Sequence, residues 1–238
     1  MTDKVDFIAA ERERVLAEYQ RRGRENKQRL YEPWEPAELF MRGGRERAAA
    51  ALLHRAGIFP REDSECLEVG FGTIGWLGTL ITWGCRETNL HGIELDAARA
   101  ARARARLTEA DLRVGDATAL PWPDNTFNLV IASTLFSSIL DEQVRRLIAD
   151  EITRVMAPGG GLLWYDFAVN NPHNAGVRKV TRRELRRLFP SLEGAVKSVT
   201  LAPPLARRLV HRSWALATAL EILPFARTHL LAALVKSS

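Results

Sequence analysis

Between Cys66 and Asp96 a short apolar run carrying one acid, Cys66-Leu67-Glu68-Val69, opens at once into Gly70-Phe71-Gly72-Thr73-Ile74-Gly75. An apolar helical stretch follows, and a second short run ends at Glu94. This order predicts strand, glycine-rich loop, helix and parallel strand, the first half of a nucleotide-binding βαβ unit. Gly70 permits the tight strand-to-helix turn, and Gly72 lets a ligand approach the backbone. The helix start is expected to present unpaired N–H groups and the positive end of its dipole. Glu94, at the tip of the neighbouring strand, is placed to accept both hydroxyls of a nucleoside sugar.

The spacing Gly70-x-Gly72-x-x-Gly75 suits a nicotinamide cofactor as well as S-adenosylmethionine, so the rest of the chain must decide. Residues 4–30 read as a charged helix with a stripe of Phe7, Ile8, Val15, Leu16 and Tyr19. Pro33 and Pro36 break that pattern, and a second helix is expected from about Ala37 to Arg55. Strands are expected at 65–69, 90–95, 112–114, 129–132 and 162–167. Helices are expected at 76–83, 97–107 and 141–156, the last capped by Asp141 and stopped by Pro158-Gly159-Gly160-Gly161. In the tail, a helix near 181–188, a strand near 196–201, a helix near 213–223 and a strand at 228–235 predict an antiparallel pair at the sheet edge. The fold class is therefore α/β: a Rossmann-like, seven-stranded, mostly parallel sheet with helices on both faces. Residues 1–59 form a helical extension in front of it, able to act as a lid on residues 60–238.

Composition narrows the partners. The chain has 238 residues and net charge +5, and its basic residues are chiefly arginine. Arg182, Arg183, Arg186 and Arg187 cluster, as do Arg207, Arg208, His211 and Arg212. A solvated helix face explains such clusters; an anionic substrate or an acidic membrane surface is the functional alternative. Nucleic acid is not expected, because basic and aromatic residues are not interleaved. Cys66 and Cys85 have neither metal spacing nor a disulfide framework, and a reduced cytoplasmic protein is expected. The first ten residues carry acids and no long apolar core, and no run reaches the length of a membrane span.

Five elements in this order resemble the class I S-adenosylmethionine-dependent methyltransferases over roughly residues 60–238. They are Glu68-x-Gly70-x-Gly72, Glu94, Gly115-Asp116-Ala117, the stretch Leu120 to Phe127, and Pro158-Gly159-Gly160. The resemblance implies S-adenosylmethionine as cofactor, held by Glu68, Gly70, Phe71, Gly72, Gly75, Glu94, Leu95, Asp116, Ala117 and Ser133. Glu94 would bind the ribose hydroxyls and Asp116 the adenine amino group. Ser133 to Asp141, and Trp164 to Phe167 with Asn170-Asn171-Pro172, resemble a bacterial subgroup often encoded beside glycan or natural-product biosynthesis genes. Where the family often has glycine this chain has Ile74. Its side chain either faces the cofactor's carboxylate and weakens binding, or faces the sheet at no cost.

A sulfonium methyl is already electrophilic, so positioning is the main task. A hydroxyl acceptor also needs a group to take its proton, and Asp166 with His173 is the expected acid–base pair. Tyr31, Thr134, Phe136, Tyr165, Asn170 and Asn171 are expected to touch a small-molecule acceptor, which the arginines allow to be anionic. No metal is expected. These features lead to O-methylation of a sugar or other small biosynthetic intermediate. Three alternatives remain open. One is N- or C-methylation of a natural-product, lipid-linked or phosphorylated acceptor, with membrane contact as its minor corollary. Another is a non-catalytic module. The last, a nicotinamide oxidoreductase, fits poorly with the Gly-Asp-Ala turn and the antiparallel tail.

Overall fold

The computed structural model describes residues 2–24, 32, 34–170 and 174–237, with residues 2–6 and 22–24 as backbone only. A buried four-residue strand, β1 (Cys66–Val69), stands at the centre. It pairs in parallel with β2 (Leu90–Glu94) on one side and β4 (Phe127–Ser133) on the other. β3 (Asp111–Val114) extends the sheet beyond β2, and β5 (Met156–Phe167) runs parallel to β4. β7 (Arg227–Lys236) inserts antiparallel between β5 and β6 (Leu192–Leu201), giving the order β3-β2-β1-β4-β5-β7-β6. The order reverses between β1 and β4, and an open sheet of this kind leaves a crevice beyond the strand ends at that point.

The near-continuous apolar runs of β1, β4 and β5 need cover on both faces, and helices supply it. One face holds α2 (Pro36–Arg55), α3 (Leu77–Thr82) and α4 (Ala97–Arg104) over Leu67's neighbours Cys66, Leu129, Ile131 and Leu163. The other holds α1 (Thr2–Arg24), α5 (Glu142–Val155) and α6 (Arg182–Leu188) over Leu67, Val69, Val130 and Trp164. α5 buries Val144, Ile148, Ile152 and Val155, the periodicity of a helix with one apolar face. Its N-cap Asp141 accepts from the amides of Gln143 and Val144 at 2.8 and 2.9 Å.

The sequence expectation for residues 158–161 requires correction. β5 begins at Met156, directly after α5, rather than after a glycine turn. The glycines allow close packing: a Cβ at Gly161 would lie 2.1 Å from Ile58 Cδ1, and one at Gly160 would lie 2.9 Å from two carbonyl oxygens. α7 (Pro203–Leu209) lies between the expected strand near 196–201 and the expected helix near 213–223, where no element was anticipated. At the first turn of a helix proline has no hydrogen bond to lose, and here it starts one. α8 (Trp214–Glu221) follows, capped by Ser213. Helices α7 and α8 fill the connection between β6 and β7. Among the described residues, no helix is long and apolar enough to cross a membrane.

Candidate functional site

The site lies at the crevice where β1, β2 and β3 end. A cleft of about 530 Å³, open to solvent, is lined by Gly70, Glu94, Leu95, Asp116 and Ala117, all expected from the sequence. The turn after β1 is tied down because the Gly70 amide donates to the Ile93 carbonyl at 2.8 Å. Gly70 and Gly72 both have positive φ, at 77° and 64°. Nothing stands within 4 Å of where a Gly72 Cβ would be, so a ligand can approach the backbone there. Glu94 is buried, and its carboxylate accepts from the amides of Gly72 at 2.8 Å and Asp96 at 2.9 Å. Asp116 accepts from the Thr118 amide at 2.8 Å, which holds the turn after β3.

Glu68 has a different role from the one its motif suggested. It is buried, and one carboxylate oxygen accepts from the amides of Trp76 and Leu77 at 2.7 and 3.1 Å. Two of the N–H groups expected to face a ligand at the start of α3, those of Trp76 and Leu77, are therefore satisfied inside the protein. Burial pushes the Glu68 carboxyl up to about 8, against the opposing pull of those two amides. Gly75 makes room for it: with φ of 49°, its Cβ would fall 2.2 Å from Glu68 Oε1. Phe71 is likewise buried in the core under β2, where Gly92 leaves space for its ring. Ile74 packs against the α3 side, 3.6 Å from the Cβ position of Gly78, and does not line the cleft.

The outer wall of the cleft comes from α1, through Ile8, Glu11, Arg12, Val15 and Tyr19, none of which the motifs indicated. Its apolar stripe and a possible lid role for the N-terminal extension were legible, but not which of its residues would line the cleft. Glu11 fastens the helix in place. It accepts from the Leu140 amide at 2.5 Å and pairs with Arg14 at 2.7 Å, and Arg14 donates to the Ser138 carbonyl at 2.5 Å. Burial opposes ionisation of Glu11, but Arg14 and the Leu140 amide outweigh it and hold its carboxyl below the usual range. From the other side, the Arg99 guanidinium of α4 sits 3.8 Å from the Tyr19 ring centroid.

Beyond β4 and β5 the expected acceptor residues divide. Thr134 holds a positive φ of 51°, and its amide donates to the Tyr165 carbonyl at 2.7 Å. This is a strained turn fixed to the neighbouring strand. Ser133 precedes it at the end of β4, outside the cleft lining. Phe136 is fully buried, edge-on to Phe189 at 5.7 Å. Tyr165 is buried, stacked on His229 at 4.8 Å with its hydroxyl 3.0 Å from Thr200 Oγ1. Burial pushes the Tyr165 phenol up to about 12 and the His229 imidazole down to about 3. Asp166 is fully buried and accepts from the amides of Ser137 and Phe167, both at 2.9 Å. Burial pushes its carboxyl up to about 6 in spite of these bonds and nearby Arg145. Asn170 accepts from the Lys179 amide at 2.8 Å. Tyr31, Asn171 and His173 lie outside the described residues.

A nucleoside carrying a polar tail fits these walls. Two carboxylates stand at the ends of β2 and β3, apolar side chains flank them, and the backbone at Gly72 is open. Among the described residues no cluster of His, Cys, Asp and Glu has the geometry to hold a metal ion.

Known proteins carry the same plan. A family model described as a methyltransferase domain matches residues 66–160. A phosphatidylethanolamine N-methyltransferase of Cereibacter sphaeroides is 31% identical over 168 residues, which cover 68% of this chain and 76% of that protein. A demethylmenaquinone methyltransferase of Mycolicibacterium paratuberculosis (strain ATCC BAA-968 / K-10) is 36% identical over 84 residues, 35% of this chain and 34% of that one. Among solved structures, a geranyl diphosphate methyltransferase in complex with S-adenosylmethionine superposes with TM-score 0.62 at 16% identity, covering 89% of this chain and 95% of its own. The chain belongs to the class I S-adenosylmethionine-dependent methyltransferases, with S-adenosylmethionine as its cofactor.

Proposed function

We propose that the enzyme methylates the nitrogen of an amphiphilic acceptor, an amine headgroup on an apolar tail. The observation that carries this reading is the state of Asp166. Both of its carboxylate oxygens accept main-chain amides in the interior, which leaves it poorly suited to take a proton from an acceptor in the crevice. A sugar hydroxyl needs such a base, whereas an amine can lose its proton to solvent and attack with its own lone pair. The likeness to a phosphatidylethanolamine N-methyltransferase supports the same acceptor class.

In this reading Glu94 holds the ribose, Asp116 the adenine, and the Gly70–Gly72 backbone the remainder of the cofactor. α1 closes the cleft against water, so the N-terminal segment works as a cover for the domain behind it. Bound S-adenosylmethionine supplies an electrophilic methyl on a sulfonium sulfur. The protein's contribution is to set the nitrogen in line with it at close approach. Held by Glu94, Asp116 and the loop after β1, the cofactor would supply its methyl to the amine lone pair and would be released as a neutral thioether. Asp166 serves as a positioning residue that fixes the 136–138 turn beneath Thr134.

The test is radiolabelled methyl transfer to phosphatidylethanolamine in detergent micelles, to a demethylated quinol and to a panel of sugars. Label in the amine lipid is the expected result. Label only in a sugar hydroxyl would overturn the assignment.

A further inference from the structure

The connection between β6 and β7 carries a surface that the methyltransfer site does not use. From Trp214 to Ala226 the chain has one charged residue, Glu221. A buried position would explain so apolar a run, yet Phe225 is 84% exposed, Ile222 67%, Leu216 53% and Trp214 50%. Ala217 alone of α8 is buried, against the cluster formed by Phe40, Met41 and Val210. Leu216, Ala219 and Leu223, at helical spacing, share the outer face with Ala215 and Ile222.

The polar groups of this segment are turned inward or satisfied. Glu221 points away from solvent, and its carboxylate accepts from the Leu201 amide at 3.1 Å. The last carbonyls of α8 would ordinarily need water. Here the Arg227 guanidinium donates to the carbonyls of Glu221 at 2.6 Å, Ile222 at 3.0 Å and Ser198 at 3.0 Å. A segment arranged in this way can enter an apolar phase without stranding its backbone. Beside it, Arg208 in the last turn of α7 and Arg212 in the turn before α8 are exposed, with no carboxylate partner among the described residues. His211 in the same turn reaches back to Glu35 at 2.8 Å.

An apolar tip rimmed by free arginines matches one occupant by charge and by polarity: the surface of a bilayer containing anionic lipids. We propose that α8 and residues 222–225 dock the enzyme on such a membrane, with Trp214, Leu216, Ile222 and Phe225 entering the interface and Arg208 and Arg212 meeting the headgroups. Trp214 also touches Phe40 edge-on at 5.5 Å, so the docked segment is coupled to α2 and through it to the sheet. The docking surface stands apart from the choice of acceptor, because adsorption to a membrane requires no turnover.

The experiment is co-sedimentation of the full chain with vesicles of phosphatidylcholine alone and of phosphatidylcholine with an equal share of phosphatidylglycerol. The wild type is expected to bind the anionic vesicles more tightly. Ile222→Glu with Phe225→Glu should weaken that binding by about tenfold or more. Arg208→Glu with Arg212→Glu should cost about tenfold on anionic vesicles and leave any binding to phosphatidylcholine unchanged. Calorimetric binding of S-adenosylhomocysteine, retained in both variants, shows that they fold. Methyl transfer to micellar phosphatidylethanolamine reads the acceptor assignment separately. No binding by the wild type, or binding that neither variant weakens, would overturn the proposal. So would a wild-type dimer that Ile222→Glu with Phe225→Glu converts to monomer, since the surface would then join two copies of the chain.

Discussion

The amide of Gly72 donates to the Glu94 carboxylate at 2.8 Å, joining the glycine loop after β1 to the end of β2. The other carboxylate oxygen is held by Asp96 at 2.9 Å. Each oxygen keeps a second lone pair, so a sugar hydroxyl can bind without displacing either amide. The carboxylate thus shapes the loop and, in the proposed reading, is left able to recognise the sugar.

Replacing Glu94 with Ala removes a charged acceptor from two amides and, in the proposed reading, from the sugar. Hydrogen bonds to a charged group contribute about 1.5–3 kcal/mol each. S-adenosylmethionine affinity, measured by calorimetry, should fall roughly 10- to 100-fold while circular dichroism stays native. Unchanged affinity would place the ribose elsewhere.

Glu11 anchors α1 across the cleft through Arg14 and the Leu140 amide. Glu11→Ala should release the helix and speed dissociation of S-adenosylhomocysteine by about tenfold in stopped-flow fluorescence, with a smaller effect on the melting temperature. An unaltered off-rate would show that α1 does not retain the ligand.

Gly75 is held at positive φ directly against Glu68. Gly75→Ala adds a methyl 2.2 Å from a buried carboxylate oxygen, so the loop must shift or the carboxylate must leave the Trp76 and Leu77 amides. A loss of about 2–4 kcal/mol is expected in urea unfolding. A loss below about 0.5 kcal/mol would mean that the loop adapts freely.

Glu68 and Asp166 both have carboxyls raised by burial, to about 8 and about 6. The folded state therefore holds protons that the unfolded chain gives up near pH 4, and the unfolded chain binds fewer protons across the interval. Their contribution to stability is complete below the ordinary carboxylate range and is lost as pH rises toward 8. The melting temperature should fall between pH 5 and pH 8.5, and Glu68→Gln should flatten the upper half of that slope. Buried His229, its imidazole pushed down to about 3, opposes this trend below the ordinary imidazole range, so the fall is steepest in the upper half of the interval. A wild-type melting temperature that climbs in that upper half would show Glu68 to be ionised in the fold.

The parts legible in the residues are those with a local backbone requirement. Gly70 and Gly72 occupy left-handed conformations that a side chain would strain, and an acid at the tip of each of two strands follows from chain spacing. Asp141 was recognisable as a helix cap because the cap bonds only to residues two and three places on. α7, which begins at Pro203 and Pro204, went unassigned, although proline in the first turn is itself a local helix-start signal.

The sequence by itself determined the alternation of strand and helix, the crevice at the end of β1 and β2, and Gly70, Glu94 and Asp116 around it, because each depends on a few neighbouring residues. Tertiary structure decided what the remaining side chains face. That the N-terminal extension could cover the site was expected from its place ahead of the first strand, but not which residues of α1 would line the cleft. Strand alternation put Tyr165 and Asp166 on opposite faces without saying that both would be enclosed. Glu68 read as a ligand-facing acid until the start of α3, eight residues on, took its carboxylate. Such assignments depend on contacts between distant segments, where packing rather than residue type selects the partner.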